Sequence, residues 1–413
     1  MRARNSRILK SLVFVVLLCI AFAGGFAIRG HSAFLQSLGF PASVTGVDTK
    51  ANVDSSAKKD VFNSLSMRVS EVEDILANDS LDSFALADVT QNVLDAFADA
   101  AQDPYLRYYS EDRYQALLNS DDATYAGIGV LFSEYGGNAY AVDVFEGSEA
   151  QLEGVMEGDY VVSINGDNSQ SWSRSEVAAK LSQAEGESIV ITWRRPESLE
   201  SDGGTEYTTT LVCKEYNEVN VTTEYDEERK VGYIKLKQLT TNAGSLVQSA
   251  INDLVSQGAG ALVLDLRDNP GGYLTQAVGV ASLFMSSGTV VEVQTVDGTT
   301  AKPATGQAIT DLRLIVITNK NTAAAAEVIV AALKESQRAT VVGTTTLGKG
   351  SVQVLSQLSF GGALRYTAAY YLTPEGHDID HVGVAPDVTL DASGEGDSQK
   401  EYAIEVAGSY VEE

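Results

Sequence analysis

The sequence predicts an α/β protein: an α/β core that receives an inserted β-rich module, preceded by a helical segment and one transmembrane helix. Three patterns carry this expectation. Apolar residues recur at helical spacing from Val61 to about Leu118, β-branched and aromatic runs dominate Tyr125 to about Lys214, and strands alternate with helices from Asn217 to about Leu390. With 413 residues, 44% hydrophobic and 21% charged, the chain has material for two or three globular domains. No internal repeat is evident.

The formal net charge is −27, and residues 1–30 hold five basic and no acidic side chains, which leaves −32 on the remainder. A remainder of that sign repels nucleic acid and anionic lipid, so no nucleic-acid partner is expected. Residues 1–29 read as a cytoplasmic basic leader (Arg2, Arg4, Arg7, Lys10) and a membrane anchor over the apolar run Leu12 to Ile28. This predicts a single-pass membrane protein with its N-terminus cytoplasmic and its bulk extracytoplasmic. A cleaved signal peptide is the competing reading, because Ala21-Phe22-Ala23 precedes Gly24. Cys19 lies in the apolar run and Cys213 has no exported partner, so no disulfide framework exists.

Residues 30–56, rich in Ser, Ala, Gly, Val and Asp, read as a stalk, and residues 57–120 as an N-terminal helical region. In that region Val69, Val72, Ile75 and Leu76, then Val93, Leu94, Phe97 and Ala98, fall on helical faces. Pro104 ends one helix and Ser110 can cap the next. Residues 124–214 form the β-rich module, with clear strands at Ile189–Trp193 and Tyr207–Val212. The acidic stretch Glu197 to Gly204 reads as the tip of a hairpin between them.

Within the module, Gly127-Ile128-Gly129-Val130 opens a strand, and Ser148 to Gly166 reads S-E-A-Q-L-E-G-V-M-E-G-D-Y-V-V-S-I-N-G. Together these resemble a PDZ domain, in which a glycine-flanked apolar loop offers backbone amides to a peptide C-terminal carboxylate and the peptide extends a sheet edge. Residues 217–390 form the α/β core, and residues 391–413 a tail with a short helix.

Much familiar catalytic equipment is missing. His377 and His381 are four apart in H-D-I-D-H, but Pro374-Glu375-Gly376 and Gly383 flank them, which makes this a loop; no metal site is expected. No H-E-x-x-H or G-x-S-x-G occurs. Gly343 to Lys349 has the spacing of a phosphate-binding loop, yet Gly350 stands where a hydroxyl would hold magnesium, so no nucleotide or other cofactor is expected. What remains is Lys349, a lysine in a glycine-flanked, largely uncharged segment that could act as a base if burial lowered its pKa. Asn269-Pro270-Gly271-Gly272 also remains, where backbone amides could face a developing oxyanion. A surface turn and an ordinary strand-to-helix turn are the plain alternatives for these two segments.

Read in order, D-P-Y-L-R-Y-Y-S at 103, the β-rich module, L-V-L-D-L-R-D-N-P-G-G at 262, N-K-N-T-A-A-A-A-E at 319, the segment R-A-T-V-V-G-T-T-T-L-G-K-G-S-V-Q at 338, and T-P-E-G with G-V-A-P-D resemble the carboxy-terminal processing, or tail-specific, serine proteases over residues 60 to 410. That resemblance implies a crotonase-like core and a serine-lysine dyad. The family's nucleophile, 25 positions before the lysine, falls on Ala324; Lys349 matches the general base and Gln353 the glutamine that orients it. Gly271 and Gly272 match the oxyanion glycines, with Ala325 supplying a second amide. The resemblance also implies polypeptide substrates with accessible C-termini, while homo-oligomerisation is left open.

A methyl group cannot attack a carbonyl, so the chain as written is expected to be inactive, with a loss on the order of a millionfold. An introduced substitution, a natural pseudoprotease serving as a peptide-binding scaffold, and relocation of the nucleophile to Thr322, Ser336 or Ser351 are the three explanations. Retention of Lys349, Gln353 and the glycine pair favours the first.

Overall fold

The computed structural model describes residues 64–80, 85–118, 126–169, 171–184, 186–216, 219–306, 308–391 and 396–411. The chain divides into two units, residues 1–84 and 85–413. The described part of the first is helix α1 (Leu65–Asp79), capped by Ser64 Oγ, which accepts from Met67 N.

The second unit opens with α2 (Leu86–Ala100), β1 (Arg107–Tyr109) and α3 (Glu111–Leu118). The β-rich module follows: β2 (Ala126–Gly127), β3 (Val130–Tyr135), β4 (Asn138–Val144), α4 (Glu149–Leu152), β5 (Tyr160–Ile164), α5 (Arg174–Gln183), β6 (Ser188–Arg195), β7 (Thr205–Val212) and β8 (Lys214–Glu215). Strands β3 to β7 make one antiparallel sheet in sequence order, and β2 pairs with β8. Entry and exit of the module therefore lie side by side, as an insertion into another fold requires. Its interior is sealed by Trp193, whose ring stacks on Phe132 with centroids 6.2 Å apart and whose Nε1 donates to Thr209 Oγ1 at 2.8 Å. The hairpin expected around residues 197–204 joins β6 to β7.

The remainder alternates strands and helices: β9 (Val221–Asp226), β10 (Val231–Leu236), α6 (Ala243–Gln257), β11 (Ala261–Asp265), α7 (Leu274–Ser282), β12 (Thr289–Thr295), β13 (Gly298–Pro303), β14 (Arg313–Thr318), α8 (Ala325–Glu335), β15 (Ala339–Gly343), β16 (Ser351–Gln357), β17 (Ala363–Leu372), β18 (Val388–Thr389) and α9 (Ser398–Ser409). One sheet runs β18-β15-β14-β11-β10-β9, parallel except for β9. Alternation along its strands explains its two cores. Leu262 and Leu264 face the layer containing α6, α7 and α8, whereas Ala261 and Val263 face Ala403 and Ala407 of α9. Asp265 continues the second face, where Arg267 bridges it to Asp397 at the start of α9. A second, antiparallel sheet runs β1-β17-β12-β13, with β16 also on β17.

The transmembrane helix and the single-pass membrane localisation expected from the sequence are corrected. Among the described residues no helix is long and apolar enough to cross a membrane. The longest, α1, α2 and α6, have 15 residues. At a rise of about 1.5 Å per residue such helices fall short of a hydrocarbon layer of about 30 Å. The run Leu12 to Ile28, with the rest of the leader and the stalk, lies outside the described residues.

Candidate active site

Parallel strands β11, β14 and β15 lie side by side, and the three loops leaving their C-terminal ends converge. In an open parallel sheet this edge is where ligands gather. The first loop runs from Leu266 to Tyr273, the second from Asn319 to Ala324 and the third from Thr344 to Gly350.

Side-chain hydrogen bonds fasten the first two loops to each other. Asp268, at φ 61°, presents Oδ1 to Asn319 Nδ2 at 2.7 Å and Asn321 Nδ2 at 2.9 Å, and donates its own N–H to Asn319 Oδ1. Thr322 Oγ1 donates to Leu266 O, and Ala323 N donates to Asn269 O. Buried Asn269 spans the turn, with Nδ2 on Leu236 O and Oδ1 accepting from Gly271 N, each at 2.9 Å. Sequence reasoning passed over these asparagines; the signal was their placement in N-P-G-G and N-K-N-T, where short polar side chains satisfy backbone groups in tight turns.

Gly271 (φ 85°) is packed against the second loop: a Cβ there would lie 2.8 Å from Ala323 O, 2.9 Å from Ala325 N and 3.0 Å from Ala324 Cβ. Its own amide is taken by Asn269. Gly272 N and Ala325 N have no acceptor among the described residues. Of the three expected oxyanion donors, these two are the amides left open, and Ala325 N also sits at the first turn of α8, where the helix dipole favours negative charge.

Half-buried Ala324 precedes α8 at φ 52° and ψ −122°. For a residue with a Cβ this conformation costs about 1–3 kcal/mol and persists only where its surroundings enforce it. Its N–H donates to Glu327 Oε2 at 2.8 Å. Glu327, fully buried, also accepts from Lys349 N at 2.9 Å through the same oxygen, and from Gly348 N at 2.7 Å and Thr346 Oγ1 at 2.5 Å through the other. Burial pushes its carboxyl up to about 7 even against four donors.

Burial likewise lowers Lys349 to about 8, against the opposing pull of Glu134. Its Nζ lies 3.8 Å from Glu134 Oε2 and 5.3 Å from the centre of the Tyr105 ring. Glu134 belongs to β3 of the inserted module, and its other oxygen accepts from Arg365 Nη2 of β17 at 2.7 Å. Burial would raise the Glu134 carboxyl, but Lys349 and Arg365 outweigh it and hold the group at about 2. Gln353 is not joined to Lys349 among the described residues; its Nε2 lies 3.5 Å from Thr367 Oγ1.

In the module, Gly127 pairs with Lys214, Ile128 is fully buried, Gly129 has φ 82°, and Val130 begins β3. The carbonyls of Ile128 and Gly129 accept from Ala150 N and Phe145 N, while their N–H groups have no acceptor among the described residues. His377 and His381 lie in the loop between β17 and β18. Glu335, Glu375 and His377 bring possible ligand atoms within 4.8 Å of one another, but at the opposite end of α8 from Ala324 and with two of the three exposed.

The profile of Peptidase family S41 matches residues 230–390, which hold all three loops. A carboxyl-terminal-processing protease of Picosynechococcus sp. is 33% identical over 295 residues, 69% of this chain and 69% of that one. Its counterpart in Synechocystis sp. is 31% identical over 308 residues, 73% and 71% of the two chains. The fold is similar to the solved photosystem II D1 C-terminal processing protease, at TM-score 0.64 and 25% identity over 82% of this chain and 90% of that one. Sequence and mixed α/β fold agree: this chain belongs to the carboxyl-terminal-processing proteases, serine peptidases of family S41.

Proposed function

We propose that this site is built for endopeptidase hydrolysis of polypeptides by a serine-lysine dyad, with residue 324 as the nucleophile position. The observation that carries the reading is that Ala324 and Lys349 are held by one carboxylate oxygen, beside two unengaged amides. A serine at 324 would attack the scissile carbonyl and pass its proton to Lys349. Burial favours the neutral amine that this step needs. Gly272 N and Ala325 N would stabilise the oxyanion, with Gly271 allowing the close approach of the two loops. Gln353 would orient Lys349 once its amide turned from Thr367.

On this reading residues 217–390 are a crotonase-like peptidase core, 57–120 a helical region, 391–413 a tail, and 124–214 a PDZ domain that selects substrates by their C-termini through Gly127, Ile128, Gly129 and Val130. The two unengaged amides at Ile128 and Gly129 support a carboxylate-binding loop. Ala324 itself favours a second reading, a pseudoprotease that holds a peptide without cutting it. The site retains its lysine and its strained turn, and this supports an introduced substitution.

The test is Ala324→Ser, assayed on an unstructured peptide with a free carboxylate. Cleavage by the variant and none by the unaltered chain is expected. No cleavage of any unstructured peptide by Ala324→Ser would sink the enzymatic reading in favour of the scaffold.

A further inference from the structure

Glu327 could be an ordinary capping residue, since the third helical position often carries a glutamate that accepts the N-cap amide. Capping accounts for its bond to Ala324 N and for nothing else it does. Its other three donors come from the loop after β15, 19 to 22 residues downstream. A cap is normally solvated, whereas this carboxylate is fully buried, where an unpaired charge would cost several kcal/mol.

The far side of the same loop is also fixed. Thr346 Oγ1 accepts from Val384 N while donating to Glu327, His381 N donates to Gly348 O, and Gly350 N donates to Asp380 Oδ1. The loop that bears Lys349 is therefore seated on the 379–384 turn on one side and on Glu327 on the other. The turn at 324 reaches that loop through Glu327 Oε2, and two residues away Leu347 N donates to Thr322 O at 2.9 Å.

We propose that Glu327 is a positioning residue that ties the backbone of residue 324 to the backbone of Lys349, so that one carboxylate, beside the Leu347 N to Thr322 O bond, sets the separation of nucleophile and base. Ala324 N and Lys349 N share a single oxygen, so they can be no farther apart than two hydrogen bonds laid end to end. Both amides anchor the main chain from which the reacting side chains project, so a change here moves the two groups relative to each other. Glutamine at 327 would present one carbonyl to two donors and turn its NH2 towards the other two. The two loops would separate on that side.

This inference rests on the assignment of residue 324 and Lys349 proposed above, and its test has one arm that does not. In the Ala324→Ser protein, Glu327→Gln is expected to lower kcat about 100-fold and to leave KM within about threefold, because displacement by about 1 Å at a reacting pair costs that much. Glu327→Asp keeps the charge on a shorter stem and should fall between the two. In the chain as it stands, amide hydrogen exchange at Ala324, Gly348 and Lys349 should quicken about 100-fold in Glu327→Gln, with the amides of β11 and β14 unchanged.

An inactive Ala324→Ser protein would remove the function assignment, while the exchange arm would still judge the clamp. A Glu327→Gln protein with kcat within threefold of its parent, or with unaltered exchange at those three amides, would overturn the proposal. So would failure of both variants to fold at all, which would make Glu327 a stabilising residue only.

Discussion

Replacing Glu134 by glutamine removes a carboxylate that faces Lys349 from the inserted module, and the size of the effect follows from the geometry. Lys349 Nζ and Glu134 Oε2 are 3.8 Å apart, and both side chains are largely withdrawn from water. At an effective dielectric of about 20 that attraction is about 4 kcal/mol. Arg365 Nη2 holds the same carboxylate at 2.7 Å and reduces the share available to the lysine. Allowing about half leaves about 2 kcal/mol, which moves a pKa by about 1.5. Lys349, at about 8 in the intact protein, should therefore titrate near 6.5 in Glu134→Gln, since burial and the Arg365 charge remain while the counter-charge is lost. The assay is a titration of the Lys349 side-chain carbon resonance by NMR from about pH 5 to about pH 10. An unchanged or raised midpoint would refute the reasoning, because it would mean that Glu134 does not hold the proton on Lys349.

Gly271→Ala places a Cβ within 3.0 Å of atoms of Ala323, Ala324 and Ala325 at a φ of 85°, so it should destabilise the protein by about 2 kcal/mol and lower Tm by a few degrees, read by calorimetry. Glu327 binds its proton more tightly folded, at about 7, than unfolded, near the ordinary 4.5. The unfolded state therefore holds fewer protons through this window, and this group's contribution to stability falls as pH rises from 4.5 to about 7. Urea unfolding at several pH values should show a flatter profile there in Glu327→Gln, and an unaltered profile would count against the assignment. A peptide with a free C-terminal carboxylate should bind more tightly than its amidated copy in titration calorimetry; equal affinities would remove the PDZ reading.

The parts of the site that lie within single stretches of chain were legible in the sequence. The strand at Ala261–Leu266 with its N-P-G-G turn, the helix after N-K-N-T-A-A-A-A-E and the glycine-flanked Lys349 announce themselves through short-range periodicity and turn chemistry. Contacts across long separations did not. Glu134 and Lys349 stand 215 residues apart, and nothing in the strand V-L-F-S-E-Y marks its glutamate as the partner of a lysine in the loop after β15.

Glu327 was visible only as the last letter of a motif, because its function as an acceptor depends on the loop after β15 folding back upon it. Gly271 and Gly272 were read together, and only the turn geometry separates the amide that Asn269 occupies from the one left open. The apolar run at Leu12 to Ile28 suggested a membrane span by composition alone, and no described helix carries that expectation.

The most direct test of the dyad compares steady-state cleavage of an unstructured peptide by Ala324→Ser with that by Ala324→Ser carrying Lys349→Met. Restored cleavage in the first, rising with pH through about 8 as Lys349 loses its proton, and loss of about a thousandfold or more in the second are predicted. Cleavage that survives Lys349→Met unchanged, or that never appears with serine at 324, would contradict the account.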